Sequence, residues 1–282
     1  MGTVIYGSEV AKQLRSEMKQ KVDQLAGEGK RLPCLGVILV GDDPASRSYV
    51  TGKTKACAEV GIRSKEIDLP SDTTMEQLKQ VIRSMNEDEA IDGILLQLPL
   101  PGGLDENEAI AAISADKDVD GLHPLSIGRF YFDGTGTVPC TPLGIIELLE
   151  RMGCPFDGLN AVVIGRSKLV GTPVARLLQN RNATVTVCHS HTKDLPEVCQ
   201  KADILIAAIG KPKFVTADFV KEGAYVIDVG VNRLEDGHLC GDVDFENVKD
   251  KAAYITPVPK GVGPMTITML LKNTLQAYEA NQ

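Results

Sequence analysis

Apolar runs that end in glycine alternate with amphipathic stretches along most of the chain, and this alternation constrains the fold more than any other feature. The clearest runs are "CLGVILVG" (34–41), "IDGILLQLPLP" (91–101), "NAVVIG" (160–165), "ATVTVCH" (183–189), "ADILIAAIG" (202–210) and "AYVIDVGV" (224–231). Continuous apolar runs of this length are typical of strands buried on both faces of a parallel sheet, and helices fit between most of them. The sequence therefore predicts an α/β protein.

A stretch rich in glycine, proline and aspartate divides the chain near its middle. Residues 116–142 read "DKDVDGLHPLSIGRFYFDGTGTVPCTP", a composition typical of a boundary between two α/β halves. The last amphipathic segment, "GPMTITMLLKNTLQAYEA", is expected to return to the first half. We therefore predict a first domain of residues 1–138 that is completed by a C-terminal helix, 264–282, and a second domain of residues 139–263.

Charge and cysteine content narrow the class of protein. The formal net charge is −8 and the isoelectric point is about 5.1, so the surface as a whole repels nucleic acid and anionic membranes. The seven cysteines include no C-x-x-C spacing, which favours reduced thiols over zinc sites or disulfides. No stretch approaches the roughly 18 apolar residues of a membrane span, and no signal peptide is evident. We expect a protein of the cytoplasm, or of an organelle if a presequence was removed, that binds neither membranes nor nucleic acid.

The stretch "IGRSKLVGTPVARLL" is typical of a strand, a glycine turn and the start of a helix. Glycine in such a turn lets the backbone approach a pyrophosphate, whose charge the free N–H groups of the helix can bind. Here Gly165 closes the strand and Gly171 follows six residues later, with Arg166 and Ser167 between them as donors to phosphate oxygens. Glycine turns of this kind are also common in proteins that bind no ligand there. The end of the next strand helps to decide between a plain turn and a dinucleotide site.

The end of the next apolar run favours NADP over NAD. Folds specific for NAD usually place an acidic residue there to bind the ribose 2′-hydroxyl, whereas a 2′-phosphate needs donors. This chain has "CHSHT", which includes Ser190, and the first acid after it is Asp194. Together with Arg166, this indicates a 2′-phosphate site. The two histidines have no obvious third ligand, so no metal site is predicted.

A helix in the first half carries a candidate catalytic pair. "GDDPASRSYVTGKTKACAEVGI" predicts a helix with Asp43 as its N-cap and Gly61 as its stop. Tyr49 and Lys53 are four residues apart and share one face, which apolar residues continue. Loss of water around the ammonium group would lower the pKa of Lys53 and suit it to proton transfer near neutral pH. The alternative is a Lys53 that keeps its charge in solvent beside a Tyr49 that only packs.

Two further polar residues can reach the same place. Gln97 lies near the carboxyl end of an otherwise apolar strand, and ligands of open α/β sheets bind beyond such ends. Asp120, in "DKDVDGLHP", lies in a loop that could meet the same crevice, although acidic loop residues are often only turn formers. The four residues become a convincing candidate set when they are taken together.

The motifs that carry these residues resemble those of the bifunctional methylenetetrahydrofolate dehydrogenase/cyclohydrolase family. The matching blocks are "YVTGK", "ILLQLPLP", "DKDVDGLHP", "PCTPLGIIELL", "VVIGRSKLVGTPVARLL", "ADILIAAIGKP", "VIDVGVNR", "GDVDF" and "TPVPKGVGPMTITMLLKNT". The resemblance implies two α/β domains, the second of them a Rossmann-like domain that binds NADP, with a folate in a cleft between them. It also implies a homodimer that oxidises 5,10-methylenetetrahydrofolate and hydrolyses the methenyl product.

The resemblance also implies a role for each matching residue. Lys53 would be the essential group of the hydrolysis, Tyr49 would position the folate, Gln97 would tune Lys53 and Asp120 would bind the pterin ring. The remaining folate contacts would be Leu98, Pro259 and Gly261. The cofactor contacts would be Gly165, Arg166, Ser167, Ser190 and Val231.

Two other readings and one departure from the family pattern remain open at this point. A different two-domain NADP-dependent dehydrogenase, acting on a small hydroxy acid, could use Lys53 and Asp120 as acid and base. A nucleotide-binding protein without catalysis would more readily have lost Lys53 or Gln97, which are both present. The family commonly has P-G-G-V-G-P where this chain has "PKGVGP", so Lys260 adds a cation to a loop expected near the folate.

Overall fold

The computed structural model describes residues 2–281, which form two compact units. The first unit consists of Gln13–Cys140 and the residues from Ile267 onward. The second consists of Thr141–Thr266 and the residues through Lys12. Both units are built from parallel strands and helices, so the predicted fold class of two α/β domains is confirmed.

Strands and helices alternate through most of the chain. The strands are β1 (Thr3–Val4), β2 (Cys34–Val40), β3 (Arg63–Leu69), β4 (Gly93–Leu96), β5 (Asn160–Ile164), β6 (Thr184–Cys188), β7 (Ile204–Ala207), β8 (Tyr225–Asp228), β9 (Asn232–Arg233), β10 (Leu239–Cys240) and β11 (Tyr254–Ile255). The helices are α1 (Gly7–Gly27), α2 (Pro44–Val60), α3 (Met75–Glu87), α4 (Glu106–Ala112), α5 (Pro124–Phe132), α6 (Cys140–Arg151), α7 (Gly171–Gln179), α8 (Leu195–Cys199), α9 (Phe245–Val248) and α10 (Gly263–Ala280). No helix within residues 2–281 is both long and apolar enough to cross a bilayer.

The first unit contains a three-stranded parallel sheet in the order β3-β2-β4. Every residue of β2 is buried, as its unbroken apolar run predicts. The edge strand β3, "RSKEIDL", is largely exposed and has no apolar run from which it could be predicted. The core lies where β2 and β4 meet helix α3; its largest members are Ile38, Leu78, Ile82, Met85 and Ile94.

Helix α2 of this unit begins and ends at the predicted residues. The carboxylate of Asp43 accepts a hydrogen bond from the backbone N–H of Ser46 at 2.7 Å, and Pro44 is the first helical residue. Gly61 ends the helix with a φ of 88°, a left-handed conformation that glycine adopts without a steric cost. These two caps fix the register of the helix that carries Tyr49 and Lys53.

The second unit contains a six-stranded sheet in the order β1-β11-β8-β7-β5-β6, with every pairing parallel. The strand that follows β5 in the chain, β6, lies on one side of β5, and the next strand, β7, lies on the other. Ligands of doubly wound sheets bind beyond the carboxyl ends of the strands at this kind of reversal. The loops after β5 and β7 therefore mark the candidate binding edge.

The first residues of the chain lie in the second unit, whereas the predicted division at residue 138 assigns them to the first domain. Strand β1 pairs with β11, Thr3 opposite Tyr254, so the first residues add a strand to the sheet of the second unit. The predicted first domain, in contrast, begins at residue 1. A two-residue strand carries too little apolar pattern to indicate its partner, which lies far along the chain.

Candidate functional site

The amine of Lys53 and the amide of Gln97 meet directly in the first unit. Lys53 Nζ donates a hydrogen bond to Gln97 Oε1 at 3.0 Å, while Gln97 Nε2 donates to the carbonyl oxygen of Leu98 at 2.5 Å. The second bond fixes the amide so that its oxygen is presented to the amine. Gln97 is only 7% exposed, at the carboxyl end of β4 where the sequence predicts it. The predicted pairing of helix α2 with this strand end is thus present.

Burial and charge act in opposite directions on the Lys53 amine. Burial lowers the pKa of Lys53, and the nearby carboxylate of Asp120 raises it in part. Burial likewise raises the pKa of Asp120, which the charge of Lys53 partly offsets. The two groups therefore favour the neutral forms more than the same groups in water, and a neutral amine is the form that can accept a proton.

Asp120 lies on a turn that a second carboxylate builds. Asp118 accepts backbone N–H bonds from Gly121 at 3.0 Å and from His123 at 2.9 Å, and it is 4% exposed. Gly121 has a φ of 71°, and a Cβ there would lie 2.6 Å from the backbone nitrogen of Pro139. These contacts fix the conformation of the turn. The sequence alone does not show that Asp118 forms the turn and that Asp120 does not.

A thiol, missed from the sequence, completes this cluster. The Cys140 side chain is 3% exposed, and its thiol donates a hydrogen bond to the carbonyl oxygen of Val119 at 3.5 Å, close to the Asp120 carboxylate. Burial, with the adjacent carboxylate, raises the pKa of Cys140, so the thiol keeps its proton. The "PCTP" block quoted above is the only sequence signal for this residue.

Tyr49 lies one helical turn before Lys53, and its side chain is 61% exposed. The predicted shared face is present, but Tyr49 is not packed into the core as the alternative reading requires. An exposed phenol ring beside a half-buried amine is available to a planar ligand. Leu98, which follows Gln97, is half-buried and supplies the carbonyl oxygen that orients the Gln97 amide.

The glycine turn after β5 has the close backbone packing of a dinucleotide site. Gly165 has a φ of 123°, and a Cβ there would lie 2.2 Å from the carbonyl oxygen of Ala208, the first residue after β7. A Cβ on Gly171, at the start of α7, would lie 2.2 Å from the carbonyl oxygen of Gly165. Only glycine fits at both places, so the loops after β5 and β7 lie against each other at the reversal in strand order.

Polar groups surround this turn on the exposed side. Ser167 Oγ accepts hydrogen bonds from the backbone N–H groups of Val170 and Gly171 at 3.2 and 3.3 Å, and Arg166 is exposed. Ser190 is exposed in the turn after β6. Strand β6 pairs with β5, with Ile164 opposite Cys188, so the two strands end next to each other. The predicted donors Arg166, Ser167 and Ser190 thus all follow adjacent strands at the carboxyl edge of one sheet.

The remaining predicted residues also lie in the second unit. Val231 follows β8 and is 60% exposed. Pro259 is exposed, and Gly261 is buried where a Cβ would lie 2.3 Å from the carbonyl oxygen of Pro257. Lys260 between them has a φ of 79°, a conformation that favours glycine. Among residues 2–281 there is no group of three or more potential ligands that could hold a metal ion.

Family models match both parts of the chain. The model for the tetrahydrofolate dehydrogenase/cyclohydrolase NAD(P)-binding domain matches residues 139–282, and the model for the catalytic domain of the same family matches residues 5–120. The bifunctional protein FolD of Bacillus mycoides is 56% identical over 277 residues, which is 98% of this chain and 96% of the relative. The similarity therefore extends over nearly the whole of both chains.

Solved structures of similar sequence have the same fold. The bifunctional FolD methylenetetrahydrofolate dehydrogenase/cyclohydrolase from Campylobacter jejuni is 45% identical, with a TM-score of 0.96 over all of both chains. The methylenetetrahydrofolate dehydrogenase-cyclohydrolase (FolD) of Trypanosoma brucei, solved with an NADP cofactor and an inhibitor, is 40% identical, with a TM-score of 0.92 over 99% of this chain and 98% of that one.

Proposed function

Because the chain belongs to the tetrahydrofolate dehydrogenase/cyclohydrolase family, we propose that Lys53, assisted by Gln97 and Asp120, carries out the hydrolytic half of its activity. The enzyme oxidises 5,10-methylenetetrahydrofolate to 5,10-methenyltetrahydrofolate with NADP+ and hydrolyses the product to 10-formyltetrahydrofolate. Membership of this family favours the folate over the small hydroxy acid considered from the sequence. The 3.0 Å hydrogen bond between Lys53 and Gln97 is the observation that carries the assignment of the catalytic group.

Hydrolysis removes two protons from water and delivers one proton to N5. Water adds to the methenyl carbon between N5 and N10 and loses its first proton. The bond from that carbon to N5 then breaks, N5 takes up a proton, and the hydroxyl group of the adduct loses its proton to the solvent as it becomes the formyl oxygen. A neutral Lys53 amine can accept the first proton and, as an ammonium group, donate one to N5. Burial lowers the pKa of Lys53, which makes both forms accessible, and Gln97 Oε1 holds the amine in a fixed direction.

The oxidation depends on the dinucleotide turn of the second unit. NADP+, when bound, supplies the two-electron acceptor, and the lone pairs of the folate nitrogens stabilise the cation that forms. The close packing at Gly165 and Gly171 fits a pyrophosphate beside the amino end of α7. We assign the phosphate contacts to Gly165, Arg166 and Ser167, the 2′-phosphate to Ser190 with Arg166, and a backbone contact to Val231.

The folate contacts follow from the same family assignment. Tyr49 would lie along the substrate with its exposed ring, Asp120 would bind the pterin, and Leu98 would line the site next to Gln97. Pro259 and Gly261 would shape the loop that faces the substrate. We assign the folate to the predicted domain of residues 1–138 with 264–282, and NADP to residues 139–263.

Replacement of Lys53 by methionine tests the catalytic assignment. Lys53→Met keeps most of the unbranched side chain and removes the proton-transferring amine. We expect at least a 100-fold lower rate of enzymatic methenyl hydrolysis, since a positioned acid–base group contributes roughly 10²–10⁴-fold. Folate binding should be largely retained. The measurement follows reduced nicotinamide and the decay of the methenyl absorbance, corrected for the buffer blank.

Lys55→Met is the matched control, because Lys55 is an exposed lysine two residues further along the same helix. It should hydrolyse the methenyl compound at the rate of the unmodified enzyme. Hydrolysis by Lys53→Met at the rate of Lys55→Met would remove Lys53 from the mechanism.

Assembly and location complete the proposal. The acidic charge argues against nucleic-acid binding, and we propose a cytoplasmic homodimer. Strand β6 supports the dimer, because it is an edge strand of the large sheet with Val187 40% exposed, and proteins usually cover such edges. Sedimentation equilibrium should give twice the chain mass of 30.3 kDa. A single-chain mass at micromolar concentration would contradict the dimer.

A further inference from the structure

Two buried aspartates of the second unit lie outside the functions assigned so far. Asp228 is the last residue of β8, and Asp242 follows β10; they are 2% and 0% exposed. Carboxylates are rarely so deeply buried unless several donors satisfy their oxygens. The source of those donors shows what the pair does.

Asp242 gathers the loop that follows β7. Its Oδ2 accepts hydrogen bonds from the backbone N–H groups of Ile209 at 2.7 Å and Gly210 at 3.0 Å, and its Oδ1 accepts one from Lys211 at 2.8 Å. Three successive amides that converge on one anion form a backbone nest. In many proteins such a nest binds a phosphate, whereas here the anion belongs to the protein and the loop is bent around it.

Asp242 also holds the loop that follows β8. Asn232 Nδ2 donates to Asp242 Oδ1 at 3.0 Å. A Cβ on Gly230 would lie 2.1 Å from the same oxygen, so the carboxylate packs directly against the backbone next to Val231. One buried side chain therefore fixes two loops at the carboxyl edge of the sheet. Because Ala208 in the first of these loops lies against Gly165, the phosphate turn is part of the same packed group.

Asp228 holds Asp242 in place from the strand. Asp228 Oδ1 accepts hydrogen bonds from the backbone N–H groups of Gly230 at 3.1 Å and Asp242 at 2.8 Å, and its Oδ2 accepts one from Val243 at 3.0 Å. Burial raises the pKa of Asp228 to about 7, with a further contribution from the charge of Asp242, while these donors lower it. Of the two loops, Asp228 contacts only the one after β8, through Gly230, whereas Asp242 contacts both, so Asp242 is the one to substitute.

We propose that Asp242 is a positioning residue of the NADP site, whose buried carboxylate presets the loops after β7 and β8 in the arrangement that the dinucleotide binds. This inference rests on the proposed function of the second unit. It assigns to Asp242 no contact with the cofactor: the residue acts through Ile209, Gly210, Lys211 and Asn232.

Asp242→Asn is the direct test, performed at a pH above 7. In either orientation, the amide of an asparagine points its NH₂ group at N–H donors that the carboxylate accepted. The donors of at least one loop therefore lose their acceptor. Because the lost hydrogen bonds are to a charged group, we expect the KM for NADP+ to rise about 10-fold to 100-fold. The KM for the folate, and the hydrolysis of added methenyltetrahydrofolate, should change less than about threefold.

Asp244→Asn is the matched control, because it changes the same charge two residues away and its carboxylate bonds to Asn247 rather than to either loop. It should leave the KM for NADP+ unchanged. Equal losses of oxidation and hydrolysis in Asp242→Asn would show a merely structural role and overturn the proposal. An unchanged KM for NADP+ would also overturn it.

A second variant and a second measurement cover the case in which Asp242→Asn does not fold. Asn232→Ala removes one of the four donors and should raise the KM for NADP+ by a smaller factor, about 3-fold to 10-fold. In the unmodified protein without cofactor, the amides of Gly210 and Lys211 should exchange hydrogen slowly although they lie in an exposed loop. Fast exchange there, or an Asn232→Ala enzyme with unchanged KM, would contradict the proposal.

The control for the proposed function itself is the unmodified enzyme. If it fails to reduce NADP+ with 5,10-methylenetetrahydrofolate, the proposed function fails. If it reduces NADP+ and the variants keep the normal KM, only the role of Asp242 fails.

Discussion

Lys53 and Asp120 are neighbouring groups of opposite charge, and burial acts against the charged form of both. An exposed pair of these residues would hold a full positive and a full negative charge. Here burial lowers the pKa of Lys53 and raises the pKa of Asp120, and the charge of each group partly offsets the pKa shift of the other. The pH range in which the Lys53 amine is neutral therefore depends on the charge of Asp120, and a substitution of Asp120 should shift that range.

Asp120→Asn should move the pH profile of hydrolysis toward acid. The negative charge of Asp120 raises the pKa of Lys53, so its removal lowers that pKa further and the neutral amine is present at lower pH. We expect the rising limb of kcat/KM for methenyl hydrolysis to shift to lower pH, together with a lower maximum if Asp120 makes the pterin contact proposed for it. The profile is measured from the blank-corrected decay of the methenyl absorbance.

Asp116→Asn is the companion variant, since Asp116 is an exposed carboxylate four residues earlier that pairs with Arg129. Its profile should match that of the unmodified enzyme. A shift of the Asp120→Asn limb toward higher pH would contradict the electrostatic assignment.

Elements with unbroken apolar runs or clear caps were predictable from the sequence. Strand β2 and helix α2 are examples, because burial on both faces and a capping aspartate leave direct traces in the residues. Strand β3 was not predictable, since its exposed residues have no apolar pattern and it forms by pairing with β2. The same holds for Asp242, whose donors at 209–211 lie about thirty positions earlier in the chain. Its role depends on tertiary contacts that a local motif does not contain.

The turn between β5 and α7 offers a test at the scale of the element. Gly165→Ala places a Cβ 2.2 Å from the carbonyl oxygen of Ala208 at a φ of 123°, so the turn must shift. We expect a loss of about 1–3 kcal/mol in the free energy of unfolding and at least a tenfold rise in the KM for NADP+. Hydrolysis of added methenyltetrahydrofolate should persist.

Gly158→Ala separates the two causes. Gly158 has a φ of 75° but open space around it, so this variant carries the conformational cost without the close contact. It should destabilise the protein modestly and keep the KM for NADP+. Equal KM values for the two alanine variants would argue against the role of the Gly165 turn.

At the scale of the whole molecule, the chain passes between the two units three times, after Lys12, Cys140 and Thr266. Helices α1 and α10 therefore each contain residues of both units. Neither unit is one continuous segment, so a ligand that stabilises one of them acts on a fold that depends on distant parts of the chain.

NADP+ should stabilise the folded molecule more than NAD+ does at equal concentration. A ligand that binds only the folded state at 100 times its Kd adds about 2.7 kcal/mol to the free energy of unfolding. The 2′-phosphate contacts proposed for Arg166 and Ser190 should give NADP+ the larger rise in Tm, and Arg166→Gln should remove most of the difference. Differential scanning fluorimetry measures both; an equal or larger rise with NAD+ would argue against the 2′-phosphate site.

The pairing of β1 with β11 sets an order of events during synthesis. Thr3 is synthesised about 250 residues before Tyr254, its partner in the sheet. At about 5–20 residues per second, the first strand waits on the order of tens of seconds for its neighbour. Strand β1 therefore cannot take its place in the large sheet until β11 has been made.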